Sequence, residues 1–149
     1  MSREVRQLHN TLLDLVGFMN RPQHDIALLN EAGVTLDRAL FPLLVVIERK
    51  GPIGVVDLSD LVGRDYTTIS RQTAKLKRLG LIERRPSKTD SRVRELTIAA
   101  SGKKLTRALD AARDRLAAKV FAQWSQPDLR TLARLMRRFA NDLHSLPHS

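Results

Sequence analysis

The sequence predicts a mainly α-helical fold that carries one small β-hairpin. Apolar residues recur at three- and four-residue spacing over most of the chain, the period of a helix with one buried face. The exception is Leu81 to Ile98, where Leu81–Arg85 and Val93–Ile98 are short apolar-containing runs flanking PSKTDS, a segment of turn formers. With 149 residues, 42% hydrophobic and 28% charged, the chain is long enough for one sizeable core and does not suggest two independent domains.

The first helix is expected from about Arg3 to Met19, because Val5, Leu8, Leu12, Leu15, Val16 and Met19 line one face before Asn20 and Pro22 end it. A second, short helix falls around Ile26 to Glu31 and is closed by Gly33. Thr35 reads as the N-cap of a third, from Leu36 to about Arg49, intensely apolar from Ala39 to Ile47. Pro42 lies inside it, and an interior proline costs about 3 kcal/mol, so a kink or a later true start is expected there. Lys50, Gly51, Pro52 and Gly54 connect this helix to the next segment.

The stretch from Asp65 to Ile98 organises the chain. Asp65 is a good N-cap, since its carboxylate accepts from an orphan amide and complements the helix dipole. The helix it opens runs from about Tyr66 to Leu79 and stops at Gly80, with Ile69, Thr73, Leu76 and Leu79 as the buried stripe. Another face presents Thr68, Arg71, Lys75 and Arg78, with Thr67, Ser70 and Gln72 beside them. Hydroxyls and amides read base edges, Arg forks onto guanine and Lys holds phosphate. Alone, such a face is ordinarily just solvated. The hairpin alters that reading, because its tip and flanks add Arg84, Arg85, Lys88, Arg92 and Arg94. From Arg64 to Arg94 the net charge is +7 of the chain's +10, the concentration that a phosphate-binding surface requires.

Upstream, DLSDLVGRDYTTISR looks like a helix-turn-helix, with Leu58, Leu61 and Val62 on the first helix and Gly63 in the turn. The run from Asp57 to Gly102, carrying ISR, Leu76, GLIER, TDSR, ELT and a glycine five residues after Thr97, resembles the MarR family of winged-helix transcriptional regulators, named for multiple antibiotic resistance. Ser59 stands where that family commonly has Ala. The resemblance implies a winged helix-turn-helix domain plus N- and C-terminal dimerisation helices: residues 1–34 and 99–149 as the dimerisation region and residues 35–98 as the DNA-binding lobe of one domain. It also implies that Arg92 enters a minor groove while Asp90 holds it. The DNA-binding set is then Arg64, Tyr66, Thr67, Thr68, Ser70, Arg71, Gln72, Lys75, Arg85, Lys88, Asp90 and Arg92. Tyr66 and Gln72 lie at positions that vary in the family.

After the hairpin, Thr97 reads as the cap of a helix to about Trp124, with Leu105, Leu109, Ala112, Leu116 and Val120 as its seam. About 26 residues at 1.5 Å each make roughly 40 Å, more than this core can cover. Ser125 and Asp128 form a capping box for a last helix with Leu129, Leu132, Met136, Phe139 and Leu143 at three-four spacing, ending before Pro147. These seams exceed what a monomer buries. The expected cover is a second copy of the chain, a homodimer, with an intramolecular bundle as the rival.

Composition excludes other classes. A pI near 11.0 calls for an acidic partner, nucleic acid first. No apolar run approaches the roughly 20 residues that span a bilayer, and MSREVRQLHN lacks a signal-peptide core, so a cytoplasmic setting is expected and no membrane partner. With no cysteine there is neither a disulfide, a thiolate zinc site nor cysteine-oxidation sensing. Absent G-x-S-x-G, P-loop and G-x-G-x-x-G motifs give no start to an enzyme or nucleotide-cofactor reading, and no cofactor is expected. Arg130, Arg134, Arg137 and Arg138 read as a solvated face. His144 and His148 have the i, i+4 spacing of a metal pair, but Pro147 interrupts it, and His24 beside Asp25 reads as a surface pair, so no metal is expected. His9 is near where the resembling family places an effector pocket, which Phe18, Met19 and Phe41 could also line; an aromatic or Met at helical spacing is ordinarily core, and core is the expectation for each. The resulting reading is a dimeric regulator of double-stranded DNA with a pseudo-palindromic operator. The resemblance adds repression, and release by a small aromatic or lipophilic effector. The alternative is a winged-helix interaction module for RNA or a protein partner.

Overall fold

The computed structural model describes residues 1–147. In chain order it contains α1 (Arg3–Met19), α2 (Pro22–Ala32), α3 (Phe41–Lys50), β1 (Ile53–Gly54), α4 (Val55–Val62), α5 (Tyr66–Arg78), β2 (Ile82–Pro86), β3 (Arg94–Ile98), α6 (Ala100–Val120) and α7 (Gln126–His144). The fold is mainly α with a small antiparallel sheet ordered β1-β3-β2, in which Leu96 faces Ile53 on one side and Arg84 on the other. Two compact units divide the chain, one from Met1 to Ala112 and one from Arg113 onward, and α6 passes from the first into the second.

Within the first unit, α3, α4, α5 and the sheet enclose one core that includes Leu43, Leu44, Leu58, Ile69, Leu76 and Leu96. Ser59 is buried there and is satisfied, its hydroxyl donating to the Val56 carbonyl at 2.8 Å. The turn between α4 and α5 needs Gly63, whose φ of 69° lies in the left-handed region. Gly102 meets a different constraint: a Cβ there would collide with the Leu81 carbonyl oxygen. The start of α6 is thereby seated against the end of α5, where the Ser101 hydroxyl donates to the Gly80 carbonyl at 2.5 Å and the Ala99 amide donates to that of Leu81 at 2.9 Å.

Several elements differ from the sequence reading. Pro22 does not merely follow α1 but opens α2, since at a first helical position its missing N–H leaves nothing unsatisfied. The same physics gives α3 the later of the two starts expected around Pro42, at Phe41 rather than Leu36, with Pro42 in its first turn, while Asp37 makes a preceding turn by accepting from the Ala39 amide at 2.9 Å. Thr97 caps nothing; it lies in β3 opposite Glu83, and α6 begins at Ala100. The helix stops at Val120 rather than Trp124, so at 21 residues it is about 31 Å long. Leu79, assigned to the buried stripe, is exposed, because the core side of α5 is carried by Ile69, Thr73 and Leu76; on α4 it is carried by Val55, Leu58 and Ser59, and Leu61 is exposed. The short strand β1 is an addition.

No residue of α1 or α7 is buried. The apolar faces that periodicity draws on them are present and uncovered: Val5, Leu8, Leu15, Val16 and Met19 on α1, and Leu132, Met136 and Leu143 on α7. In α7 the Ser125 hydroxyl accepts from the Asp128 amide at 3.2 Å, the capping contact that its sequence announces.

Candidate nucleic-acid interface

The interface is assembled from α5 and the β2–β3 hairpin. Asp65 fixes the start of α5 twice over: one carboxylate oxygen accepts from the Thr68 amide at 2.9 Å, the other from the Thr68 hydroxyl at 2.6 Å. The Thr68 hydroxyl bond first, then its amide bond, hold the Asp65 carboxyl below the usual range, and the Arg71 charge adds to this. With its proton committed to Asp65, the hydroxyl of the half-buried Thr68 keeps only acceptor capacity for a further partner.

Because Ile69, Thr73 and Leu76 point into the core, the opposite face of α5 projects Thr67, Arg71 and Arg78 into solvent. Tyr66 is exposed at the helix start, and Ser70 and Gln72 are half-buried on its two flanks. Arg64 and Gln72 are brought together, the guanidinium donating to the Gln72 amide oxygen at 3.1 Å and to the Ala39 carbonyl at 3.3 Å. Lys75 lies 3.8 Å from Asp37, a half-exposed pair that contributes little and leaves the lysine recruitable.

The hairpin tip is built by its own side chains. Ser87 accepts from the Thr89 amide at 3.2 Å, and the Ser87 amide donates to the Val93 carbonyl at 2.8 Å. One Asp90 oxygen accepts from both the Arg92 amide at 3.1 Å and the Arg92 Nε at 3.3 Å. The Arg92 side chain is 90% exposed, so it stands out of the loop while tethered at its root. Arg85 pairs with Glu83 at 2.7 Å along β2, and Lys88 is exposed at the tip.

The four residues considered for an effector pocket are dispersed in environment. Phe41 is core, 5% exposed, as expected. Phe18 and Met19 are not core: they are 51% and 65% exposed on α1, none of whose residues is buried. Phe18 instead stacks at a tilt on His24, 4.8 Å between ring centroids, so His24 is an aromatic partner rather than half of a loop pair with Asp25. His9 is exposed on α1, and His148 lies outside the described residues.

Three cations outside the DNA-binding set expected from the sequence belong to this surface. Lys77, Arg84 and Arg94 line one groove of about 390 Å³. Strand alternation is the signal that could have found the two arginines, because Arg84 and Arg94 stand two residues from Ile82 and Leu96 and so share their face.

A helix-turn-helix whose second helix is followed by a basic antiparallel wing defines the winged-helix class. A family model described as HVO_A0114 matches residues 35–95. An uncharacterized HTH-type transcriptional regulator of Bacillus subtilis (strain 168), YxaD, is 31% identical over 103 residues, 69% of this chain and 72% of that protein. Among solved structures, a MarR family protein from Bacillus stearothermophilus superposes with a TM-score of 0.83 at 18% identity, covering 97% of this chain and 99% of that one. A MarR transcriptional regulator from Methanosarcina mazei Go1 gives 0.69 at 22% identity, over 95% and 99%. The chain belongs with the HTH-type transcriptional regulators, as its Bacillus subtilis relative shows, and its fold is that of the solved MarR proteins. It is a regulator and not an enzyme. Among the described residues no helix is long and apolar enough to cross a membrane.

Proposed function

We propose that the protein is a cytoplasmic repressor that binds a pseudo-palindromic DNA operator as a homodimer and is released by a small aromatic or lipophilic effector. The observation that carries the DNA reading is the juxtaposition of the exposed polar and cationic face of α5 with a wing whose Arg92 projects while anchored on Asp90. In this reading α5 reads base edges in a major groove through Thr67, Thr68, Ser70 and Arg71. Arg64, Tyr66, Gln72, Lys75, Arg85 and Lys88 complete the contact, and Arg92 enters the adjacent minor groove, where a narrow A·T-rich stretch strengthens its attraction.

The uncovered apolar faces of α1 and α7 support the dimer. Sedimentation at micromolar concentration should give twice 16.8 kDa. One dimer should then occupy a duplex with half-sites about 10 bp apart. A clean monomer would contradict both the dimer and the palindrome. The exposed His9, Phe18 and Met19 of α1, with Phe41 as a buried residue of α3, are the residues we assign to the effector, which would lower affinity only by preferring a dimer geometry that DNA does not. Titrating candidate aromatic ligands against the protein–promoter complex tests that part.

The wing gives a test of opposite signs. On electrostatics alone, Asp90→Asn removes a negative charge beside phosphates and should tighten binding. With Asp90 orienting the guanidinium by a charge-assisted hydrogen bond, its loss frees Arg92, and binding should weaken. We expect weakening, and Arg92→Lys should also bind worse than wild type because it keeps charge but loses the planar fork. Tighter binding by Asp90→Asn at fixed salt would reduce the wing to a generic basic loop.

A further inference from the structure

Lys77, Arg84 and Arg94 have a placement that base reading and minor-groove insertion leave unexplained. Cross-strand register sets Arg84 opposite Leu96 and Pro86 opposite Arg94, which makes the two arginines diagonal neighbours on one face of the hairpin. Nearer the hairpin base, that face is closed into the core by Ile82 and Leu96. On α5, Tyr66, Ser70 and Lys77 share a flank at spacings of four and seven residues. This flank looks toward the wing: Tyr66 lines a groove with Asp57, Arg84 and Arg94, and Lys77 lines the next one with the same two arginines and no carboxylate.

Charge pairing separates these three cations from Lys75, Arg85 and Arg92, though not from Arg71, Arg78 and Lys88; what sets the three apart is the groove they share. Lys75 has Asp37, Arg85 has Glu83 and Arg92 has Asp90. Among the described residues Lys77, Arg84 and Arg94 have no carboxylate within ion-pair distance, and no acidic side chain lines the groove they share. Three like charges gathered in one cleft repel one another, and an anion placed between them would reverse the sign of that interaction.

We infer that this cleft is a phosphate clamp, in which Lys77, Arg84 and Arg94 grip the sugar-phosphate strand that runs between α5 and the wing. The inference rests on the DNA-binding reading above and adds a separate site to it. Adjacent major and minor grooves of a duplex are separated by a single backbone strand. A protein with its helix in one and its wing in the other must therefore straddle that strand, and the cleft between α5 and the hairpin is where it passes. Guanidinium forks suit phosphate oxygens in two-point contact, and the lysine adds a point charge from the helix side. Such a grip carries no base information. It fixes the register in which Arg71 and Arg92 meet their grooves.

The test uses the full chain and the promoter region flanking its own gene, with a random duplex as the second probe, titrated at several salt concentrations. The variant is Lys77→Gln/Arg84→Gln/Arg94→Gln, whose three positions are exposed, so its melting temperature should match that of wild type. Binding should weaken roughly tenfold or more on both duplexes, with their ratio kept, and the slope of log affinity against log salt should fall by about 2 to 4 for the dimer on its two half-sites. A second arm needs no variant for its primary reading. In a short duplex cut from the footprint, single neutral methylphosphonate linkages should weaken wild-type binding at one or two positions per half-site, between the major- and minor-groove contacts. The triple variant should be indifferent to those same linkages. A wild-type slope in the triple variant, an equal linkage penalty in both proteins, or no sensitive linkage between the grooves would overturn the clamp while wild-type operator binding left the DNA reading standing. Failure of wild type to bind duplex at all would remove both.

Discussion

Leu76→Ala should destabilise the protein by about 2–5 kcal/mol, the range for emptying a fully enclosed leucine site. Leu76 is 0% exposed, sits in the middle of the core cluster and holds the buried side of α5 down onto α3, α4 and the sheet. Its carbonyl also accepts from the Leu81 amide at 3.1 Å, so the same residue marks where the chain leaves the helix for the wing. Leu79→Ala is the control: three residues further on, that side chain is 53% exposed, and its loss should cost no more than about 0.5 kcal/mol. Urea unfolding of the two variants measures the difference. Equal losses would mean that α5 is seated on another face, and that Arg71 and Arg78 do not project as described.

Arg71→Ala should cost about 1–3 kcal/mol of affinity on the operator and much less on random duplex. Arg71 projects from α5 directly opposite the Ile69–Thr73–Leu76 stripe, in the N-terminal half of the helix, the half whose side chains reach base edges. Equal losses on operator and random DNA would demote Arg71 to a phosphate contact. Because Arg71 lies away from the cleft of Lys77, Arg84 and Arg94, its effect and theirs should add.

Much of this architecture is legible in the sequence because it is set by local chemistry. Asp65 before a polar-apolar helical pattern and Ser125 before Gln-Pro-Asp act within one turn of themselves, and their hydrogen bonds to Thr68 and Asp128 are where capping rules put them. The hairpin is legible for a similar reason, since PSKTDS closes through Ser87, Asp90 and their nearest neighbours. What sequence reading misplaces depends on competition or on distant partners. Thr35 is a plausible cap, but Pro42 is better accommodated in the first turn than in a helix interior, and it decides where α3 begins. Two-residue β1 exists only because Ile53 and Gly54 pair with Leu96 and Glu95, far along the chain. Phe18 and Met19 follow a helical stripe but stay exposed, because periodicity says which face is apolar and not whether anything in the same chain covers it. Lys77, Arg84 and Arg94 are legible as charges, and alternation puts the two arginines on one face, but only the packing of α5 beside the hairpin brings Lys77 to them and makes a cleft.

The central claim is that α5 and the wing together recognise duplex DNA by sequence rather than by charge. It is tested most directly by an equilibrium competition at one fixed, near-physiological salt concentration. The protein is bound to the promoter region flanking its own gene and displaced with unlabelled promoter, random duplex of equal length and single-stranded RNA. The account predicts that random duplex competes at least about a thousandfold less well than the promoter, the lower end for specific DNA-binding proteins, and that RNA competes no better than random duplex. Equal competition by all three would contradict it, and RNA displacing as well as the promoter would mark the chain as a winged-helix module for another nucleic acid.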